Sequence, residues 1–128
     1  MNGSSAFAME PFCYLTTRGR VSGRPHRIEI WFALDGDTLY LLSGGRERSD
    51  WVKNLRQTPQ VTVELATGVF TGRARVVEDA DEDGRARTLV HGKYAGSYGG
   101  DLTRWQRHAL PIAVDIEQET RTRGGGSR

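Results

Sequence analysis

The sequence predicts an α+β protein in which a six-stranded antiparallel sheet closes into a small barrel, with helices inserted between strands. Three observations carry this. Between Phe12 and Ser43 the chain reads as three strand segments joined by tight connections, with no helix among them. Two helical patterns then interrupt the later strands. No βαβ crossover appears, which argues against a doubly wound nucleotide-binding fold.

Phe12 to Thr17 is a short apolar and β-branched run, hence a strand. Arg27 to Leu34 begins with strict alternation and ends almost wholly apolar, which suits a strand half-covered at one end and buried at the other. Asp35-Gly36-Asp37 is a hairpin turn, because Gly36 tolerates the positive φ such a turn needs, and Thr38 to Ser43 returns as the third strand. Gly44-Gly45 breaks the pattern. Ser49 or Asp50 then caps a helix on which Trp51, Val52 and Leu55 share a face, and Thr58-Pro59 stops it. Gln60 to Leu65 alternates as a half-buried strand and turns at Thr67-Gly68 into Val69 to Glu78, where Gly72 marks a bend or bulge. Asp79 to Val90 reads as a helix whose acidic first turn suits its dipole. Residues 91–100, "HGKYAGSYGG", read as a glycine-rich loop. Asp101 caps a short helix through Leu110, Pro111 ends it, and Ile112 to Glu117 is the last strand. Residues 1–11 are thus an N-terminal arm, 12–118 a single domain, and 119–128 a disordered tail.

Composition narrows the function. Eighteen Lys and Arg against sixteen Asp and Glu leave a formal charge of +2, too little for nucleic-acid binding by bulk electrostatics. The lone Cys13 excludes an internal disulfide and fits a reducing, cytoplasmic setting. No stretch approaches the roughly 18 apolar residues of a membrane helix, and the N-terminus does not read as a signal peptide. His26, His91 and His108 are scattered without metal-ligand spacing, so no metal site is expected. Neither a G-x-S-x-G nucleophile motif nor an acid pair for hydrolysis is present.

The charges are nevertheless unevenly spread. "TTRGRVSGRPHR", residues 16 to 27, packs Arg18, Arg20, Arg24 and Arg27 into one hairpin connection, whereas Glu78 to Asp83 is acidic. Gly19 and Gly23 would let backbone N–H groups approach a ligand, and guanidinium forks match phosphate or carboxylate oxygens. The residues alone leave this anion cradle open against a solvated turn paired with Glu29, Glu64 or the acidic cluster. Gly44-Gly45-Arg46-Glu47-Arg48-Ser49, leading into a helix N-terminus, is either an ordinary strand-to-helix connection or a second element of the kind. Both follow strands of one meander and would converge at one end of a barrel. Tyr94, Tyr98 and Trp105 either line a pocket or pack in the core. With no nucleophile in sight, an enzyme of this sequence would leave the hard chemistry to a phosphorylated redox cofactor.

"YLTTRGRVSGRPHRIEIWF", "LYLLSGG" and "DWVKNLRQTPQVTVEL" together closely resemble the deazaflavin (F420)-dependent nitroreductase family. The likeness runs in order from Tyr14 to Leu65 and more weakly to Glu117. It implies a six-stranded antiparallel split β-barrel with inserted helices, as in the pyridoxamine-phosphate-oxidase-like flavin and deazaflavin oxidoreductases. The implied cofactor is coenzyme F420, whose tail carries a phosphate and glutamates, with FMN as the alternative. By position, Arg20, Ser22 and Arg24 would hold the tail, with Pro25 shaping the turn. Ser43, Gly44 and Gly45 would bring N–H groups near the ring or its phosphate, and Arg48, Trp51 and Asn54 would complete the wall. Two positions depart, Val21 in place of a frequent lysine and His26 in place of a common arginine, leaving Arg18 and Arg27 to supply the charge. The implied reaction is hydride transfer to a small electron-poor acceptor, a quinone, activated alkene or nitro compound, with Tyr94 and Tyr98 as catalytic candidates and a homodimer common; a non-enzymatic cofactor-binding or carrier barrel is the alternative.

Overall fold

The computed structural model describes residues 7–98 and 100–122. A single antiparallel sheet of seven strands runs β1 (Cys13–Arg18), β2 (Pro25–Ile30), β3 (Ala33–Asp35), β4 (Thr38–Ser43), β5 (Gln60–Leu65), β6 (Gly68–Val76) and β7 (Leu110–Thr122). Three helices accompany it: α1 (Asp50–Gln57), α2 (Ala80–Tyr94) and α3 (Thr103–His108). None is long and apolar enough to cross a membrane.

The strand order is β2-β1-β5-β6-β7-β4-β3, so the two edges of the sheet are β2 and β3. Only Trp31 and Phe32 separate them in sequence. Ile30 and Ala33 therefore lie within about 10 Å, which forces the edges together and curls the sheet into a barrel with its seam at Trp31-Phe32. This seam corrects the expected strand count from six to seven, because the strand read over Arg27–Leu34 is in fact two. Strand-like residues leave the ladder there because another partner takes their backbone groups. The Tyr94 hydroxyl accepts from Phe32 N–H at 3.1 Å.

Two cores explain why β4 reads as apolar without alternation. Leu39 and Leu41 face the barrel interior with Leu15, Phe32, Val63 and Ile112. Tyr40 and Leu42 face outward into a second core under α2 with Ala86, Val90 and Tyr94. Those three α2 residues recur every fourth position and carry the helix on to Tyr94, past the boundary expected at Val90. Residues 91–94, expected in a loop, are helical, and Gly92 sits on the exposed side. Asp79 caps α2 by accepting from Glu82 N–H at 2.9 Å. Glu82 then takes both Arg75 nitrogens at 2.8 Å and the Tyr40 hydroxyl at 2.7 Å, tying α2 to the sheet. These bonds, Arg75's foremost, hold the Glu82 carboxyl down at about 2.

Gly72 behaves as the sequence suggests. The β6–β7 register shifts beside it, and a Cβ there would meet Val114 Cγ1 at 2.7 Å. Pro111 does not simply end α3; it sits within β7 opposite Leu42. Since β7 runs to Thr122, residues 119–122 belong to a strand rather than to the expected tail, and 123–128 lie outside the described residues. At the other terminus, Phe7 of the expected arm packs edge-on against Phe70 at 5.4 Å.

Candidate functional site

The β1–β2 connection is a built turn. Gly19 N–H donates to Arg24 O at 2.7 Å, Gly23 N–H to Gly19 O at 2.9 Å, and Gly23 takes a φ of +76° that disfavours any side chain. Ser22 Oγ accepts from Arg24 N–H at 3.1 Å, and Arg18 Nη1 donates to Gly23 O at 2.9 Å. His26 covers Gly19 so closely that a Cβ there would meet its Nε2 at 2.6 Å.

Asn54 fastens this turn to α1. Its side chain is 2 % exposed, accepts from Arg20 N–H at 3.1 Å and Arg20 Nη1 at 2.9 Å, and donates to Thr17 Oγ1 at 3.1 Å. Arg20 Nη2 completes the joint on Asp50 Oδ1 at 3.2 Å. Between turn and helix lies a cavity of about 240 Å³ lined by Gly19, Arg20, Ser22, His26, Asp50 and Asn54.

The expected cations divide into two sets. Arg27 is committed to the barrel wall, with Glu64 oxygens at 3.0 and 3.1 Å and the Tyr14 ring 3.7 Å beneath it. Arg18 holds the turn's own Gly23 carbonyl, and Arg20 holds Asn54 and Asp50 of α1. Arg24 and Arg48 are exposed, and neither guanidinium has a partner among the described residues. Pro25 opens β2 and pairs with Arg18 across the turn.

Ser43 is 1 % exposed, so its expected place beside a ligand becomes a bracing one. Its hydroxyl donates to Arg46 O at 3.0 Å and meets Ser49 Oγ at 2.8 Å. That contact draws the Ser49 side chain away from the helix it precedes, leaving the α1 N-terminus without a side-chain cap. Gly44 is exposed beside the Trp105 ring, and a Cβ on Gly45 would meet Ser49 Oγ at 2.6 Å. Arg46 takes a φ of +53°, held by its Nη1 on His108 O at 2.6 Å. Trp51 is half-buried against the barrel core.

Past Gly44 opens a cleft of about 530 Å³, walled by Trp31, Leu42, Tyr98, Leu102 and Trp105, with Ile30, Glu29 and Asp101 completing the lining. Trp31 meets Tyr98 and Trp105 edge to face at 5.6 and 5.7 Å. Tyr98 is 48 % exposed and its hydroxyl has no partner among the described residues. Tyr94 is different. It is 6 % exposed, stacks on the far face of Trp31 at 4.2 Å, and lends its hydroxyl to Pro11 O at 2.8 Å as well as to Phe32. Burial pushes its phenol up to about 12. Expected as a catalytic candidate in a glycine-rich loop, Tyr94 lies at the end of α2 and clasps the barrel seam.

Sequence reasoning missed Trp31, Leu42, Glu29 and Asp101 as cleft residues. The available signal was the end of alternation at Trp31, where a large aromatic sits at the point a strand gives out. The residues near the turn fit a phosphate-bearing anion. Two unpaired guanidiniums, an uncapped helix N-terminus and two glycine steps together offer charge, N–H donors and room for close approach. Among the described residues, no three His, Cys, Asp or Glu side chains come together as a metal site.

A family of F420H(2)-dependent quinone reductases matches residues 2–117. An F420H(2)-dependent quinone reductase of Mycobacterium tuberculosis is 29 % identical over 108 residues, covering 81 % of this chain and 72 % of the relative. Among solved structures, one titled F420 reductase superposes with a TM-score of 0.65 at 19 % identity, over 91 % of this chain and 94 % of that one. A second, titled as a domain-swapped dimer, gives a TM-score of 0.67 at 20 % identity, over 84 % and 80 %. At such identities these two structures speak for the shared fold alone. The family match spans nearly the whole chain, so the protein belongs to the F420H(2)-dependent quinone reductases and is an oxidoreductase whose coenzyme is F420.

Proposed function

We propose that the chain transfers a hydride from reduced F420 to a flat, electron-poor acceptor, a quinone, activated alkene or nitro compound, held in the aromatic cleft. The observation that carries this is the arrangement along β2. One end of this edge strand contributes His26 to the cavity at the basic turn, and the other contributes Glu29 and Ile30 to the aromatic cleft. A long cofactor with an anionic tail and a flat ring has matching surroundings at the two ends.

Arg24 and Arg48 would bind the phosphate and glutamates of the tail, with the α1 N-terminus adding N–H donors. Gly44 and Gly45 would admit the ring close to the backbone. When bound, the reduced coenzyme supplies the hydride. The chain's own task is to hold the acceptor against that hydride, at roughly 3–3.5 Å between reacting atoms, and to keep water out. Trp31 and Trp105, whose rings stand at right angles, provide two aromatic walls for this. The Tyr98 hydroxyl is free to donate to the negative charge that grows on the acceptor. A homodimer is part of the same reading.

The test is anaerobic single-turnover oxidation of reduced F420 by menadione, with wild type and Tyr98→Phe. We expect wild type to react well above the buffer rate, and Tyr98→Phe to lose about 10–100-fold in rate with coenzyme affinity unchanged. Wild type that binds F420 but oxidises it no faster than buffer, with any of the three acceptor classes, would sink the reading. Tight FMN binding without F420 binding would do the same.

A further inference from the structure

The chemistry of the cleft lining bears on which acceptors enter it. Among the described residues eight line it, and of these the charged ones are Glu29 and Asp101, both exposed and both acidic. Asp101 accepts the Thr103 N–H at 2.9 Å, and that bond, with a smaller contribution from the charge of His91, holds its carboxyl below the usual range. Neither carboxylate has a cationic partner among the salt bridges of the described residues. Arg104 and Arg107 flank Trp105 on α3 but do not line the cleft. The aromatic faces of Trp31 and Trp105 add to this sign, because ring quadrupoles present negative charge to a cation.

The basic turn has the opposite character, with Arg24 and Arg48 unpaired. The binding region is therefore polarised along its length, positive where the coenzyme's tail belongs and negative around the acceptor. We infer that the aromatic cleft selects flat acceptors that are neutral or carry positive charge, and disfavours anionic ones. This rests on the proposed function for the word acceptor, but the selection itself is a property of the cleft.

Two groups set the size of the effect. A carboxylate some 5–8 Å from a ligand charge near the surface contributes a few-fold in affinity, so two with favourable ring faces give about tenfold between opposite ligand charges. The contribution shrinks as salt screens it.

Calorimetric titration with two non-reactive naphthalene probes of matched size, one bearing a trimethylammonium and one a sulfonate, measures the selection directly. The titrations are run in phosphate, which occupies the arginine end and keeps the sulfonate from being held there. The cationic probe is expected to bind about tenfold more tightly. That gap should shrink several-fold in Glu29→Gln and in 0.5 M salt, and binding of the cation should be lost in Trp105→Ala. Equal binding of the two probes, preference for the sulfonate, or cation binding indifferent to both substitutions each overturns the inference. The same charges placed on naphthoquinones should reproduce the order in kcat/KM with reduced F420. If the naphthoquinones are not reduced while the probes keep their tenfold gap, the proposed reaction fails and the selection stands. If they are reduced without regard to charge, the reaction stands and the selection fails.

Discussion

Replacing Asn54 by alanine tests whether the basic turn is positioned by the fold or merely tethered to it. The substitution removes three side-chain hydrogen bonds, those to Arg20 N–H, Arg20 Nη1 and Thr17 Oγ1. Each is worth about 0.5–1.5 kcal/mol net. The Thr17 hydroxyl, on a residue 1 % exposed, is left without that partner, whereas the Arg20 groups can reach water through the adjoining cavity. The expected loss is therefore about 2–4 kcal/mol, read as a shift of the urea midpoint at unchanged slope. The turn is then free to leave α1, and F420 affinity should fall about fivefold or more although Asn54 itself carries no charge. Asn54→Asp keeps the acceptor toward Arg20 but puts a carboxylate in a buried place one turn from Asp50, so it should recover the F420 affinity more fully than the stability. Urea unfolding followed by tryptophan fluorescence and F420 titration give the two numbers. Asn54→Ala within 0.5 kcal/mol of wild type would refute the joint, and full stability loss with unchanged F420 binding would refute its role in the site.

Tyr94→Phe should cost about 1–3 kcal/mol, since it strips the hydroxyl from Phe32 N–H and Pro11 O in a buried place. Its single-turnover rate per folded molecule should stay within about threefold of wild type, and a loss as large as that of Tyr98→Phe would return Tyr94 to the reacting groups. Lys93 gives a pH signature. Its Nζ is buried without a hydrogen-bond partner among the described residues, 3.4 Å over the Phe32 ring, and burial lowers its pKa from 10.5 to about 8. The unfolded chain therefore holds this proton more tightly, so the fold carries a penalty that is full below pH 8 and vanishes as pH rises toward 10.5. Lys93→Met should stabilise the protein by about 1–3 kcal/mol at pH 7, with the gap closing between about pH 8 and 10.5. A gap independent of pH would show that the amine reaches solvent.

Local chemistry made most of the elements legible. Asp35-Gly36-Asp37, Thr58-Pro59 and the alternation of Val61, Val63 and Leu65 each state their structure within a few residues. What was hidden depends on partners distant in sequence. The break at Trp31-Phe32 exists because Tyr94, sixty-two positions later, supplies the backbone's hydrogen bonds, and no window around Trp31 contains that fact. The helical reading of 91–94 was masked by Gly92, whose cost in an exposed helical site is about 1 kcal/mol, less than the burial of Tyr94 returns. At the site, the sequence marked the arginines but not their division of labour. Arg27 and Arg24 look alike in the chain, and only the pairing of β1 with β5 sets Glu64 within reach of Arg27.

The seam at Trp31-Phe32 also shapes how this scaffold can change over generations. Trp31 both lines the cleft and stacks on Tyr94, the residue that clasps the sheet edges, so any replacement that reshapes the pocket there also loosens the closure of the barrel. Tyr98, Asp101 and Trp105 stand on the far wall, in segments that no strand pairing depends on. Mutational drift toward new acceptors is thereby channelled: descendants of this chain can re-tool the exposed Tyr98 and Asp101 at little risk to folding, while the indole at the seam is held in place by a constraint unrelated to the acceptor.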